Sequence, residues 1–186
     1  MENIIIKSGP LQAITTTKGN PIDTETIVEG YACYSDTSAK LTIMSNDDIP
    51  LFFAIPGKVI GAMKIDKDEI ETKKLTENLR SSLVSLGLDA SEMHCIIGPC
   101  LTFSHMPVER KVIEKLLDDG FMLAAKRTDG VDFLDLPDFV LTELRRLGVK
   151  MENIVIGDYD TFENPEMLYS RLRGDKEMNA TTAYLG

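Results

Sequence analysis

Leu51-Phe52-Phe53-Ala54-Ile55 is a short apolar run that stops at Pro56-Gly57, and Lys58 to Lys64 follows directly. An apolar run of this length closed by a turn dipeptide is strand-like, and two such arms about a tight turn make a β-hairpin. The first third of the chain therefore reads as strands and turns. Ile4-Ile5-Ile6 and Leu11 to Thr16 are β-branched runs separated by Gly9-Pro10, Lys18-Gly19-Asn20-Pro21 is a turn, and Lys40 to Met44 is another strand.

Beyond Lys64 the pattern becomes helical. Ile70, Leu75, Leu79, Leu83 and Leu86 predict a helix over 66–87, with Asp66 and Glu69 as a capping box, acids in its first turn and Gly87 at its end. Val108, Val112, Ile113, Leu116 and Leu117 predict a second helix over 107–119 with those residues inward. Asp135 as N-cap, Pro137 in the first turn and Gly148 predict a third over 137–147. Glu92 to Ile97, Phe121 to Ala125, Val131 to Leu134, Asn153 to Ile156 and Thr181 to Leu185 are expected strands. With no repeat or linker, the pattern is one α+β domain over residues 1–186.

A net charge of -10 disfavours nucleic acid and anionic membranes as partners. No apolar run approaches the roughly 20 residues of a membrane span. Met1 to Pro10 lacks the basic flank and apolar core of a signal peptide. Three cysteines are too few for a disulfide framework, so a reduced, cytoplasmic protein is expected.

Several segments, in order, resemble the laccase-domain (YfiH-like) family, known as multicopper polyphenol oxidoreductases and as purine nucleoside phosphorylases with adenosine deaminase activity. Ile97-Gly98-Pro99-Cys100-Leu101 is similar to the family's Ile-Gly-Pro-x-Ile run, and Val108-Glu109 to the end of its Tyr-Glu-Val. Asp135-Leu136-Pro137 and Leu147-Gly148-Val149 resemble the ends of one of its helices. Asp160-Thr161-Phe162, Asn164-Pro165 and Leu168-Tyr169-Ser170-Arg171-Leu172-Arg173 resemble its Cys-Thr-Tyr, Asn-Pro and Phe-Phe-Ser-Tyr-Arg-Arg signature. Upstream, Glu29-Gly30-Tyr31-Ala32 resembles Glu-Ala-Asp-Ala, and Asn46-Asp47-Asp48-Ile49-Pro50 resembles Ala-Asp-Cys-x-Pro. The resemblance implies a layered sandwich of mixed β-sheets flanked by helices.

It also implies a zinc site of His, Cys and His, a donor set well suited to that metal. This chain departs from it. No His precedes His94, where the chain is expected to be shortened relative to the family. The Cys position holds Asp48, and the second His position, sixteen residues on, holds Lys64. The motif's Arg is Asp68 and the late Arg of a Gly-Arg pair is Asn179. No metal or other cofactor is therefore expected. An Asp48–Lys64 ion pair is the expected replacement, with both side chains pointing to water as the plainer alternative. Asp48 and Lys64 are the candidate catalytic positions, and Asp160, Tyr169, Ser170, Arg171 and Arg173 the candidate ligand contacts. The expectation is a degenerate homologue that binds a small nucleoside-like or anionic ligand or a protein partner. The alternative is a metal-independent enzyme acting on a purine nucleoside or phosphorylated sugar.

Other groupings are weaker. His94, Cys95, Cys100 and His105 lack finger spacing, and neighbours on a strand face opposite ways. Ser104 or Cys100 with His105 is an improbable nucleophile–base pair because adjacent residues rarely converge. Asp132, Asp138, Asp158 and Asp160 read as solvated loop acids, and the scattered methionines as core filler.

Overall fold

The computed structural model describes residues 2–20, 24, 26–72 and 74–186, apart from the side chain of Glu71. In chain order these form β1 (Ile4–Ser8), β2 (Leu11–Thr15), β3 (Thr26–Ile27), β4 (Tyr31–Tyr34), β5 (Leu41–Ser45), β6 (Ile49–Ile55), β7 (Val59–Ile65), α1 (Glu69–Thr72), α2 (Lys74–Leu86), β8 (His94–Ile97), α3 (Arg110–Asp118), β9 (Ala125–Thr128), β10 (Val131–Leu134), α4 (Leu136–Leu147), β11 (Ile154–Ile156) and β12 (Asn179–Leu185). One five-stranded sheet has the order β1-β2-β12-β5-β3, a second has the order β11-β8-β6-β7-β4, and β9 pairs with β10 in a separate hairpin. Both large sheets are mixed: β3 runs parallel to β5 and β11 parallel to β8, the other pairings being antiparallel.

The expected β6–β7 hairpin forms, with Ile55 opposite Val59 across Pro56-Gly57-Lys58. It lies at the centre of the molecule, which explains why its sequence does not alternate: both faces are buried. Ile49, Leu51, Phe53 and Ile55 point into a core shared with Leu75, Leu79, Ile113, Phe139 and Leu144 from the helices. Phe52 and Ala54 point the other way, into a core shared with Ile4, Leu11, Leu41 and Ala183 of the first sheet. Helices, central sheet and outer sheet are thus stacked as a layered sandwich of mixed sheets, as the resemblance implied.

The helix ends follow local chemistry. Asp135 accepts the Asp138 N–H at 3.1 Å, Pro137 lies in the first turn of α4, and Gly148 closes it with φ 105°. The helical pattern over 66–87 appears as α1 and α2, with Lys73 outside the described residues. Its capping differs from expectation. Asp66 accepts the Asp68 N–H at 2.8 Å, whereas the Glu69 carboxylate reaches forward to the Leu75 N–H at 2.8 Å rather than back to Asp66. Leu117, expected inward, is exposed because α3 buries only the Ile113 and Leu116 side of its surface. Phe121 to Ala124 form a turn, and the strand begins at Ala125. Pro21, expected in a turn, lies outside the described residues. Among the described residues no helix is long and apolar enough to cross a membrane.

Candidate functional site

The ends of the central hairpin open into a cleft of about 940 Å³. Asp48 immediately precedes β6, and Lys64 stands opposite Pro50 near the end of β7, so the hairpin register brings the two side by side. Lys64 Nζ lies 3.3 Å from Asp48 Oδ2, and Arg171 Nη2 approaches the other carboxylate oxygen at 3.8 Å. The pair is partly enclosed, with Asp48 15% and Lys64 26% exposed, whereas Arg171 is 75% exposed. The ion pair expected from the two substitutions is present. Glu29, Asp66, Lys67 and Asp68 also line the cleft, giving it both signs of charge.

Asp47 fixes this corner. It is buried, and its carboxylate accepts the Thr161 hydroxyl at 2.8 Å and the Leu172 N–H at 2.9 Å, while its carbonyl accepts the Leu101 N–H at 3.0 Å. One residue thereby ties three other segments to the start of β6 and holds Arg171 beside Asp48. Its buried charge is offset by these hydrogen bonds.

His105, in a single 3₁₀ turn spanning Phe103–His105, also lines the cleft. Its Nδ1 lies 3.4 Å from Asp160 Oδ2 and 3.1 Å from Ser104 Oγ, its Nε2 lies 3.8 Å from Glu163 Oε1, and its ring packs on Phe162 at 4.5 Å. Asp160 is not a solvated loop acid. Burial works against its charge, but hydrogen bonds from the Thr102 hydroxyl and from the Glu163, Thr102 and Phe162 N–H groups outweigh it and hold the carboxyl below its ordinary value. A carboxylate that orients an imidazole was not legible in the sequence, since His105 and Asp160 are fifty-five residues apart.

The remaining candidates separate. Ser170 is fully buried. Arg173 donates to the carbonyls of Thr161, Phe162 and Leu168 and to Asp175, so it holds a loop together rather than facing the cleft. Tyr169 exchanges backbone hydrogen bonds with the Asn179 side-chain amide and packs under Lys18. Of these residues only Arg171 lines the cleft. Cys95 and Cys100 are buried, and burial pushes both thiols well up, which makes them poor nucleophiles. Asp132 is buried against Arg127, and Asp138 binds Lys126, so neither is the solvated acid expected.

A family model described as multi-copper polyphenol oxidoreductase laccase matches residues 14–183. The chain belongs to this family. No curated protein matches the laccase-domain chain in sequence. Among solved structures it is similar to YfiH of Bacillus licheniformis (TM-score 0.73, 16% identity, 84% of this chain) and to YlmD of Geobacillus stearothermophilus (0.75, 16%, 84%). It spans 61% and 60% of those two chains. It is also similar to Neisseria meningitidis protein NMB0706, family-model DUF152 (0.78, 13%, 100% of this chain and 99% of that one). At these identities the likeness establishes the fold. The metal that the family description implies does not suit the donors in this cleft. Asp48 faces an ammonium and a guanidinium, and among the described residues no group of three or more His, Cys, Asp or Glu is placed to hold a metal ion.

Proposed function

We propose that this laccase-domain chain is a degenerate member without zinc-dependent catalysis, whose cleft is a metal-independent binding site for a small polar molecule. The observation that carries this reading is the Asp48–Lys64 ion pair at the positions where the family resemblance puts Cys and His. A cation built from the chain itself neutralises Asp48, so the pocket needs no metal for charge balance. The cleft supplies Lys64, Lys67 and Arg171 against Glu29, Asp48, Asp66 and Asp68. Such a mixture favours a ligand with both donors and acceptors, such as a nucleoside, over a highly charged anion. The three free thiols support a reduced, cytoplasmic setting.

Thermal unfolding with millimolar adenosine or inosine tests the reading. A nucleoside at about 100 times its Kd adds about 2.7 kcal/mol, a rise of ~5–10 °C for a domain of this size. The rise is expected in the native chain and is expected to be lost in Lys64→Ala. No shift with either nucleoside would overturn the reading.

One observation favours a second reading, a metal-independent enzyme. The Asp160 carboxylate orients His105 at the cleft, the arrangement by which a carboxylate sets an imidazole as a general base. Turnover of adenosine or inosine that persists in chelator and falls in His105→Gln would select it.

A further inference from the structure

A second groove, of about 600 Å³, adjoins the cleft and shares Lys67, Asp68 and Pro107 with it. Its floor is aliphatic. Ile70 and Leu134 are buried, and Val108 and Val112 are half-buried. Its rim is cationic in a chain of net charge -10. Lys111 and Lys115 are one turn apart on α3, and Lys67 faces them from the turn before α1. Lys111 pairs with Glu109 at 2.9 Å. Among the described residues Lys67 and Lys115 have no side-chain partner, which leaves Asp68 as the one remaining acid on the rim.

We propose that this groove binds a small amphipathic carboxylate, with its apolar body on Ile70, Val108, Val112 and Leu134 and its anionic group between Lys67 and Lys115. Apolar lining with a few convergent charges is the usual build of a small-molecule site, and the volume falls within the roughly 300–1,000 Å³ of such sites. Charge complementarity selects an anion, because two ammonium groups with no side-chain partner among the described residues flank an aliphatic floor. The chain's overall negative charge turns away an anionic membrane as the source of that group. The site is separate from the Asp48–Lys64 pair and does not depend on the nucleoside reading.

The experiment is an amide NMR titration of the intact chain with octanoate and, in parallel, with octan-1-ol, which has the same apolar body without the charge. Octanoate is expected to perturb the amides of Ile70, Val112 and Leu134 and to bind about tenfold more tightly than octan-1-ol. Lys67→Glu and Lys115→Glu, at exposed positions that carry no packing, are each expected to weaken octanoate about fivefold and leave octan-1-ol unchanged. Equal affinity for the two probes, indifference to both charge reversals, or perturbations confined to the exposed Leu117, Met122 and Leu123 would overturn the proposal. So would groove amides that move on dilution of the free protein, which would mean that a second copy covers the groove.

Discussion

Phe53→Ala is expected to cost about 3–5 kcal/mol, a large share of the ~5–15 kcal/mol that holds a domain together. Phe53 sits in the middle of β6, is 2% exposed and stacks on Tyr31 with 6.0 Å between ring centroids. Its ring also lies over Gly61 on the paired strand, where a Cβ would come 2.1 Å from Phe53 Cζ and 2.7 Å from the Ala32 carbonyl oxygen. Ring and missing side chain therefore form one packing unit. Gly61→Ala alone should cost about 1–3 kcal/mol through overpacking. Because Phe53→Ala removes the atoms met first, the double variant should lose less than the sum of the two. Urea unfolding of the four proteins gives the coupling directly, and strict additivity would contradict this packing.

Asp160→Ala is expected to cost about 2–4 kcal/mol, since the part-buried Thr102, Phe162 and Glu163 N–H groups lose a charged acceptor, and hydrogen bonds to charged groups contribute ~1.5–3 kcal/mol. Asp160→Asn should cost less, because one amide oxygen still accepts. The pH dependence has a definite sign. The folded carboxyl titrates below its unfolded value of about 3.9. Its contribution is therefore complete above that value and disappears as pH falls through the lower folded one. The stability gap between the native chain and Asp160→Asn should be widest above about pH 5 and should close in stronger acid. A gap independent of pH would show that the hydrogen bonds to Asp160 do not depend on its charge.

Where a segment is governed by its own residues, the sequence was legible. The β6–β7 turn, the Asp135 cap, Pro137 and Gly148 are local devices, and each forms as expected. The opposition of Asp48 and Lys64 was accessible because two paired strands and a turn fix it. Tertiary partners decided the rest. Tyr31–Tyr34 is too short to read as a strand by itself and becomes one because β7 offers it an edge. Glu69 caps toward Leu75 instead of Asp66. Asp160 resembles a loop acid until four hydrogen bonds converge on it, two from the distant Thr102 and two from the N–H groups of Phe162 and Glu163 just ahead in the chain. Arg173 and Ser170 belong to a signature that suggests ligand contact, yet the first braces backbone carbonyls and the second is enclosed. His105 meets Asp160 only because the crossover through α3 and α4 returns the chain to β11, parallel to and beside β8, which local pattern does not encode.

The central claim is that a side-chain cation occupies the place of a metal, and metal content tests it most directly. Tag-free protein exposed to excess zinc, desalted and submitted to elemental analysis is expected to retain far less than one zinc or copper per chain and to show no phosphorolysis or deamination of adenosine or inosine. Stoichiometric zinc, lost together with such an activity on chelation, would contradict the account and make Asp48 and His105 the first residues to test as ligands.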